Sequence, residues 1–175
     1  MSNDISFDPQ LQDIARALSG VIFDVDGVLT DGRITYSDDG HEYKSFNVQD
    51  GASIKALMNA GLQVAIITGR SSSMVSRRAR ELGIEHLKQG VDNKAQALDD
   101  LIKEEGFPAA NLAMVGDDMQ DLALFKHSAV TLRATVANAH PLVSRQAQFI
   151  TQRRGGEGIC VELAWLIMTA KGIWT

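Results

Sequence analysis

Apolar residues follow two rhythms along this chain. Four short runs rich in β-branched residues, VIFDV at 21–25, QVAIIT at 63–68, NLAMVG at 111–116 and AVTLR at 129–133, have the length and composition of buried strands. Between and after them, SIKALMNAG, SMVSRRARELG, KAQALDDLIKEEG and MQDLALFKH space their apolar residues three or four apart, as helices do when one stripe faces a core. Strands that are apolar throughout are covered on both faces. The alternation therefore predicts an α/β fold, a Rossmann-like parallel sheet with helices on both faces. Helix punctuation agrees: Asp50 and Asp92 are placed to cap helix starts, Gly61, Gly83 and Gly106 fall where helices end, and Pro108 follows the last of these.

One segment, RITYSDDGHEYKSFN, breaks the alternation. Ile34, Tyr36 and Tyr43 flank the turn-forming SDDG with a period of two, which predicts a projecting β-hairpin at about 33–46. The pattern suits a plain surface hairpin and a flap over a site equally.

Polar residues at the strand ends carry the chemistry. Asp24 and Asp26 close the first apolar run, where a buried carboxylate costs roughly several kcal/mol unless a cation compensates it. The pair points to a metal or to a chemical task. An open α/β sheet leaves its crevice at the carboxyl ends of the strands. Thr68, Gly69 and Arg70 end the second run, and Gly116, Asp117, Asp118 and Asp121 the third, while Lys94 opens a helix that starts at the same end. Each element has an ordinary reading by itself, as an N-cap, a loop, a solvated lysine or an acidic first helical turn. Four of them in this order, all at one end of the sheet, point to a single site.

Composition narrows the classes. With 175 residues, 45% hydrophobic and 22% charged, the chain suits one domain, 1–175, with a full core. A net charge of −5 weighs against nucleic acid as a partner. The apolar stretch ICVELAWLIMTA is interrupted by Glu162 and is shorter than the roughly 20 residues a membrane span requires, so no membrane is expected. The start, MSNDISFDPQLQDIARALSG, lacks the basic and apolar regions of a signal peptide, and Cys160 is the only cysteine. A cytoplasmic protein is expected.

The motifs DVDGVLT, ITGR, Lys94 and GDDMQD resemble those of the haloacid dehalogenase superfamily of phosphotransferases. The resemblance implies that Asp24 is a nucleophile forming an aspartyl phosphate, and that Asp26 protonates the leaving alkoxide and then deprotonates the hydrolytic water. Thr68 and Lys94 would meet the phosphoryl oxygens. A carboxylate attacks a phosphate dianion only once charge is neutralised, so Mg²⁺ is expected on Asp24, Asp117 and the Asp26 backbone carbonyl, with Asp118 orienting metal-bound waters or Lys94. Within the superfamily an acid two residues after the nucleophile marks phosphatases and phosphomutases. The intervals from Asp26 to Thr68 and from Thr68 to Lys94 leave no space for a cap domain.

More narrowly, DVDGVLTDG, FNVQDG, ITGR, GVDNK and RRGGEG resemble the uncapped phosphatases of 3-deoxy-D-manno-octulosonate 8-phosphate (Kdo 8-phosphate) in lipopolysaccharide synthesis. This resemblance implies a homotetramer with sites shared between subunits, the hairpins forming a barrel and the C-terminal tail reaching a neighbour's active site, tail and final helix together spanning about 152–175. It also implies that Asp26, Asn47, Val48, Gln49, Asp50, Gly51, Lys55, Gly69, Arg70, Arg78 and Lys94 contact a small sugar-acid phosphate, arginine suiting its anionic groups. Arg77, Arg78 and Arg80 share a helix and do not all face the crevice. A sialic-acid-type 9-phosphate phosphatase is the neighbouring alternative. A phosphate-accepting receiver without turnover is more distant, because Lys94 precedes GDDMQD. His41, His86, His127 and His140 show no ligand spacing, and Cys160 reads as packed.

Overall fold

β1 (Gly20–Phe23) takes the centre of the sheet because all four of its residues are buried and nothing polar interrupts the run. The computed structural model describes residues 7–174; residues 1–6, part of the stretch read for a signal peptide, and Thr175 lie outside them. β1 pairs in parallel with β4 (Gln63–Ile67) on one side and β6 (Leu112–Val115) on the other, Phe23 standing opposite Ile66 and Val115. With β5 (His86–Lys88), β7 (Val130–Thr135) and β8 (Phe149–Ile150) the order is β5-β4-β1-β6-β7-β8. The chain departs from β1 in both directions, which opens a crevice at the carboxyl ends of β1, β4 and β6.

Strand alternation divides the core in two. Val21, Phe23, Val64, Ile66, Ala113 and Val115 face helices α1 (Pro9–Ala17), α2 (Val48–Asn59), α3 (Ser73–Leu82) and α7 (Ile159–Ala170). Ile22, Ala65, Ile67, Leu112 and Met114 face α4 (Lys94–Glu104), α5 (Leu122–Phe125) and α6 (Pro141–Ser144). Burying each such aliphatic side chain contributes about 1.5–3 kcal/mol. The expected helices on both faces are present, together with α1, which the periodicity passed over and which Asp8 caps by accepting from Gln10 and Leu11 N–H.

Two capping assignments are corrected. Asn47, not Asp50, caps α2, accepting Gln49 N–H at 2.8 Å, and Asn93, not Asp92, caps α4, accepting Gln96 N–H at 3.1 Å. Asparagine serves because its carbonyl oxygen reaches the free N–H two or three residues on. The helix ends at Gly61, Gly83 and Gly106 stand as read, each glycine at positive φ.

The hairpin is β2 (Thr35–Tyr36) paired antiparallel with β3 (Glu42–Tyr43), outside the main sheet. Its Ile34, Tyr36 and Tyr43 are exposed.

The C-terminal segment is tied to the rest of its own chain. Residues 153–158 pack on their own chain: Gly156 N–H donates to Val28 O at 2.9 Å, and Gly155 N–H to Asn138 Oδ1 at 2.9 Å. Only glycine fits at 155, where a Cβ would strike the Gly27 carbonyl. After this loop comes the expected C-terminal helix, α7, which buries Ile159, Cys160, Leu163, Ala164, Leu166, Ile167 and Met168.

Candidate active site

Asp24 follows β1 directly, its N–H still paired with Val115 O at 3.0 Å. The chain then turns sharply, Val28, Leu29 and Thr30 N–H all donating to Val25 O. Gly27 sits at φ 95°, and the Asp117 carboxyl occupies the space a Cβ there would need, so the glycine lets the two motif loops meet. A cleft of about 490 Å³ opens here, lined by Asp24, Asp26, Thr68, Gly69, Arg70, Lys94, Asp117 and Asp118, and also by Asp92, Gln120 and Asp121.

The charges within it are unequal. Lys94 Nζ donates to Asp121 Oδ1 at 2.6 Å and stands 2.9 Å from Asp24 Oδ1, all three side chains nearly sealed from solvent. Asp24, Asp117 and Asp121 bring carboxylate oxygens within 4.8 Å of one another. Three carboxylates against one ammonium leave an excess of negative charge. Burial, then the charge of Asp121, raises Asp24 to about 6. Burial, then the charge of Asp24, raises Asp117 to about 7. Burial by itself would lower Lys94, but the Asp24 and Asp121 charges outweigh it and hold the ammonium.

These residues fit a hard divalent cation. Asp117 Oδ1 is buried without a hydrogen-bond partner, an arrangement costly for a carboxylate unless a cation is met. Asp121 is less available: its Oδ2 accepts Asp117 and Asp118 N–H at 2.9 and 3.1 Å while Oδ1 holds Lys94. Asp24 and Asp117 are the side chains left to ligate. Lys94 is thus oriented by Asp121 and not by Asp118, which corrects one of the two roles expected of Asp118, the other being to orient metal-bound waters; the exposed Asp118 carboxylate caps the 3₁₀ turn Met119–Asp121 through Met119 N–H. Asp121 belonged to the motif cluster in the sequence, but its partner was not legible there.

Thr68 is buried at the end of β4, its N–H bonded to Lys88 O. Arg70 stands at the mouth, donating to Glu42 Oε2 at 2.7 Å, with Nε 3.8 Å from Asp26 Oδ2. Lys44, beside β3, donates to Asp26 Oδ1 and lies 3.2 Å from Glu42 Oε1 with a fully buried side chain. Lys44 and Glu42 were missed. The available signal was their common parity in the hairpin, opposite to exposed Tyr43.

Several expected substrate contacts lie elsewhere within this chain. Asn47, Asp50, Gly51 and Arg78 line a separate small, largely apolar recess with Phe46 and Ile54. Asp50 is buried and accepts Cys160 N–H at 2.7 Å, anchoring the start of α7. Arg78 donates to Asn47 O at 3.2 Å, lies over the Phe46 ring and fills the space beside Gly51. Gln49 accepts from Arg153 at 2.9 Å. Val48 and Lys55 are exposed on α2. The shared reason is that α2 begins behind the hairpin and turns its first residues toward α3 and α7. Arg77 pairs with Glu81 on the surface, as the helix geometry required.

Residues 87–163 match the family model of haloacid dehalogenase-like hydrolases. The 3-deoxy-D-manno-octulosonate 8-phosphate phosphatase KdsC of Salmonella typhimurium is 40% identical over 164 residues, covering 94% of this chain and 86% of the relative. That of Escherichia coli strain K12 is 42% identical over 152 residues, covering 87% and 80%. Among solved structures, the Moraxella catarrhalis phosphatase, in complex with a magnesium ion, a phosphate ion and a KDO molecule, superposes with a TM-score of 0.87 at 40% identity, covering 93% of this chain and 92% of that one. The cobalt-bound form from Haemophilus influenzae gives a TM-score of 0.84 at 39% identity, with 91% and 92% covered.

Proposed function

We infer that this chain, which belongs to the 3-deoxy-D-manno-octulosonate 8-phosphate phosphatase family of haloacid dehalogenase-like hydrolases, is a Mg²⁺-dependent phosphomonoester hydrolase. Its substrate is Kdo 8-phosphate and its products are Kdo and inorganic phosphate, the Kdo serving lipopolysaccharide synthesis. The observation that carries this reading is the charge imbalance at the end of β1. Asp24 and Asp121 share the single Lys94 ammonium while the neighbouring Asp117 Oδ1 has no partner, and the geometry asks for a cation and an anionic substrate together.

In the mechanism we propose, Asp24 attacks phosphorus, the P–O bond to the sugar breaks, and Asp26 gives its proton to the departing alkoxide. Asp26 then takes a proton from the water that releases phosphate from Asp24. Lys94 and the Thr68 hydroxyl hold phosphoryl oxygens, and Arg70 meets the sugar acid at the mouth. Magnesium on Asp24, Asp117 and the Asp26 carbonyl supplies neutralisation of the approaching phosphate charge.

The proposal extends to assembly. An isolated two-stranded hairpin is marginal in water, and this one exposes Ile34, Tyr36 and Tyr43, which supports burial against copies of itself in a homotetramer. Exposed Val48 and Lys55 are then available to a neighbouring subunit's substrate. The chain acts as one phosphatase domain without a cap. A cytoplasmic location suits its one buried cysteine. Among the described residues no helix is long and apolar enough to cross a membrane.

The test is phosphate release from Kdo 8-phosphate, a sialic acid 9-phosphate and a generic sugar phosphate, each with Mg²⁺ and with chelator. A strong Mg²⁺-dependent preference for the first is expected. Equal slow release from all three removes the substrate assignment, and no release removes the enzyme.

A further inference from the structure

The hairpin contributes a side chain to the reacting end of the cleft. Lys44 Nζ donates to Asp26 Oδ1, and the Lys44 side chain is 1% exposed although the residue lies at the base of an otherwise exposed hairpin. Glu42, two residues before it, has a cation on each side: its Oε1 lies 3.2 Å from Lys44 Nζ as an ion pair without a hydrogen bond, and its Oε2 accepts from an Arg70 nitrogen at 2.7 Å. Arg70 Nε in turn stands 3.8 Å from the other oxygen of Asp26, too far for a hydrogen bond. The two oxygens of Asp26 are therefore not equivalent: Oδ1 is clamped, and Oδ2 accepts no hydrogen bond from the described residues, in a side chain that lines the cleft.

We propose that Lys44 is a positioning residue for Asp26, clamping Oδ1 so that Oδ2 alone exchanges protons with the leaving group and the water. The proposal rests on the phosphatase reading given above. A lysine ammonium has three donors and no acceptor, so the Asp26 oxygen it engages receives a hydrogen bond and carries no proton toward it. When Asp26 is protonated, the proton sits on Oδ2. In the first half-reaction the Oδ2–H bond breaks, an O–H bond forms on the sugar C8 oxygen as its bond to phosphorus breaks, and Asp26 is left as a carboxylate against Lys44. In the second half-reaction Oδ2 takes a proton from water while the water oxygen bonds to phosphorus and the Asp24 carboxylate departs. The Glu42 bridge makes the hairpin the part that holds this geometry, joining it to Arg70 across the cleft mouth.

Without the clamp Asp26 rotates freely. A catalytic group displaced by about 1 Å loses on the order of 100-fold in rate, and the loss falls on the step that needs the proton. The experiment measures single-turnover cleavage of Kdo 8-phosphate, whose alkoxide requires protonation, and of 4-nitrophenyl phosphate, whose phenolate departs without it. Wild type, Lys44→Met, Lys44→Arg and Asp26→Asn are compared with Mg²⁺ present. Lys44→Met keeps the buried alkyl stem, and its melting temperature and oligomeric state are recorded alongside.

The expected result is that folded Lys44→Met slows Kdo 8-phosphate cleavage by on the order of 100-fold, with 4-nitrophenyl phosphate cleavage within about fivefold of wild type. KM should change little, Asp26→Asn should show the same discrimination, and Lys44→Arg should recover most of the rate. Equal loss on both substrates by a folded Lys44→Met, or a change confined to KM, overturns the proposal while leaving the phosphatase reading in place. If Asp26→Asn itself fails to discriminate between the two leaving groups, the proton-transfer role of Asp26 and the proposal fall together. A Lys44→Met protein that does not fold, with Lys44→Arg folded and equally slow on both substrates, also overturns it.

Discussion

Asp24 and Asp50 are both buried carboxylates at element ends, and the environments that surround them differ in kind. Asp24 is faced by further carboxylates, Asp117 and Asp121, with only Lys94 among them. Asp50 is faced by a helix start: it accepts Cys160 N–H, and Arg153 supplies positive charge nearby. Desolvation is the first cause of a raised pKa at both. At Asp50 a helix N-terminus offsets part of that cost through one carboxylate oxygen, and the result is a tie between α2 and α7. At Asp24 the neighbours add to it, and the residual charge is what makes the cleft receptive to a cation and a phosphate. Burial alone therefore does not mark a functional acid; the sign of what surrounds it does.

The largest effect should come from breaking the first environment. Asp24→Asn is expected to abolish phosphate release, by on the order of 10⁴-fold or more, while keeping the fold, since it removes a buried charge and retains the shape. Wild-type-like turnover by a folded variant, measured as phosphate release, would contradict the nucleophile assignment.

A second effect concerns protons. Asp24 at about 6 and Asp117 at about 7 both lie above the ordinary carboxylate range, so the metal-free native protein holds protons that the unfolded chain has released. Its stability accordingly rises as pH falls from about 8 toward 5. Magnesium must displace those protons, so its affinity should weaken by on the order of tenfold or more between about pH 8 and pH 6. Thermal melts at several pH values with and without Mg²⁺ test both signs. A metal-free melting temperature that falls on acidification over this range would mean the carboxylates are not pushed up.

The smallest effect on catalysis should come from Asp50→Asn. An amide oxygen can still accept Cys160 N–H, so kcat should stay within about threefold of wild type and the melting temperature should move by about 5 °C or less. Steady-state kinetics beside a melt decide it. Loss of turnover without loss of stability would move Asp50 from the structural to the functional side of the comparison.

Much of this was readable from the chain. The apolar runs at 21–25, 63–68 and 111–116 hold the three adjacent strands whose ends carry Asp24, Thr68 and Asp117, because fully buried parallel strands leave a composition signal that few other elements share. The motif residues Asp24, Asp26, Thr68, Arg70, Lys94 and Asp117 line one cleft for the same reason. The contacts assigned around FNVQDG fared differently. Asn47, Asp50, Gly51 and Arg78 turn away from the cleft within this chain, since the angle at which α2 leaves the hairpin depends on packing against α3 and α7, segments distant in sequence.

By itself, the sequence determined which residue types stand at the carboxyl end of the sheet, since strand length and parallel topology follow from local composition and periodicity. Only the tertiary structure decided which charge meets which. Lys94 pairs with Asp121 across 27 positions, Lys44 with Asp26 across 18, and Asp50 with the Cys160 N–H across 110. An ion pair or hydrogen bond is fixed by a few ångströms of separation, and those separations are set by how whole elements pack.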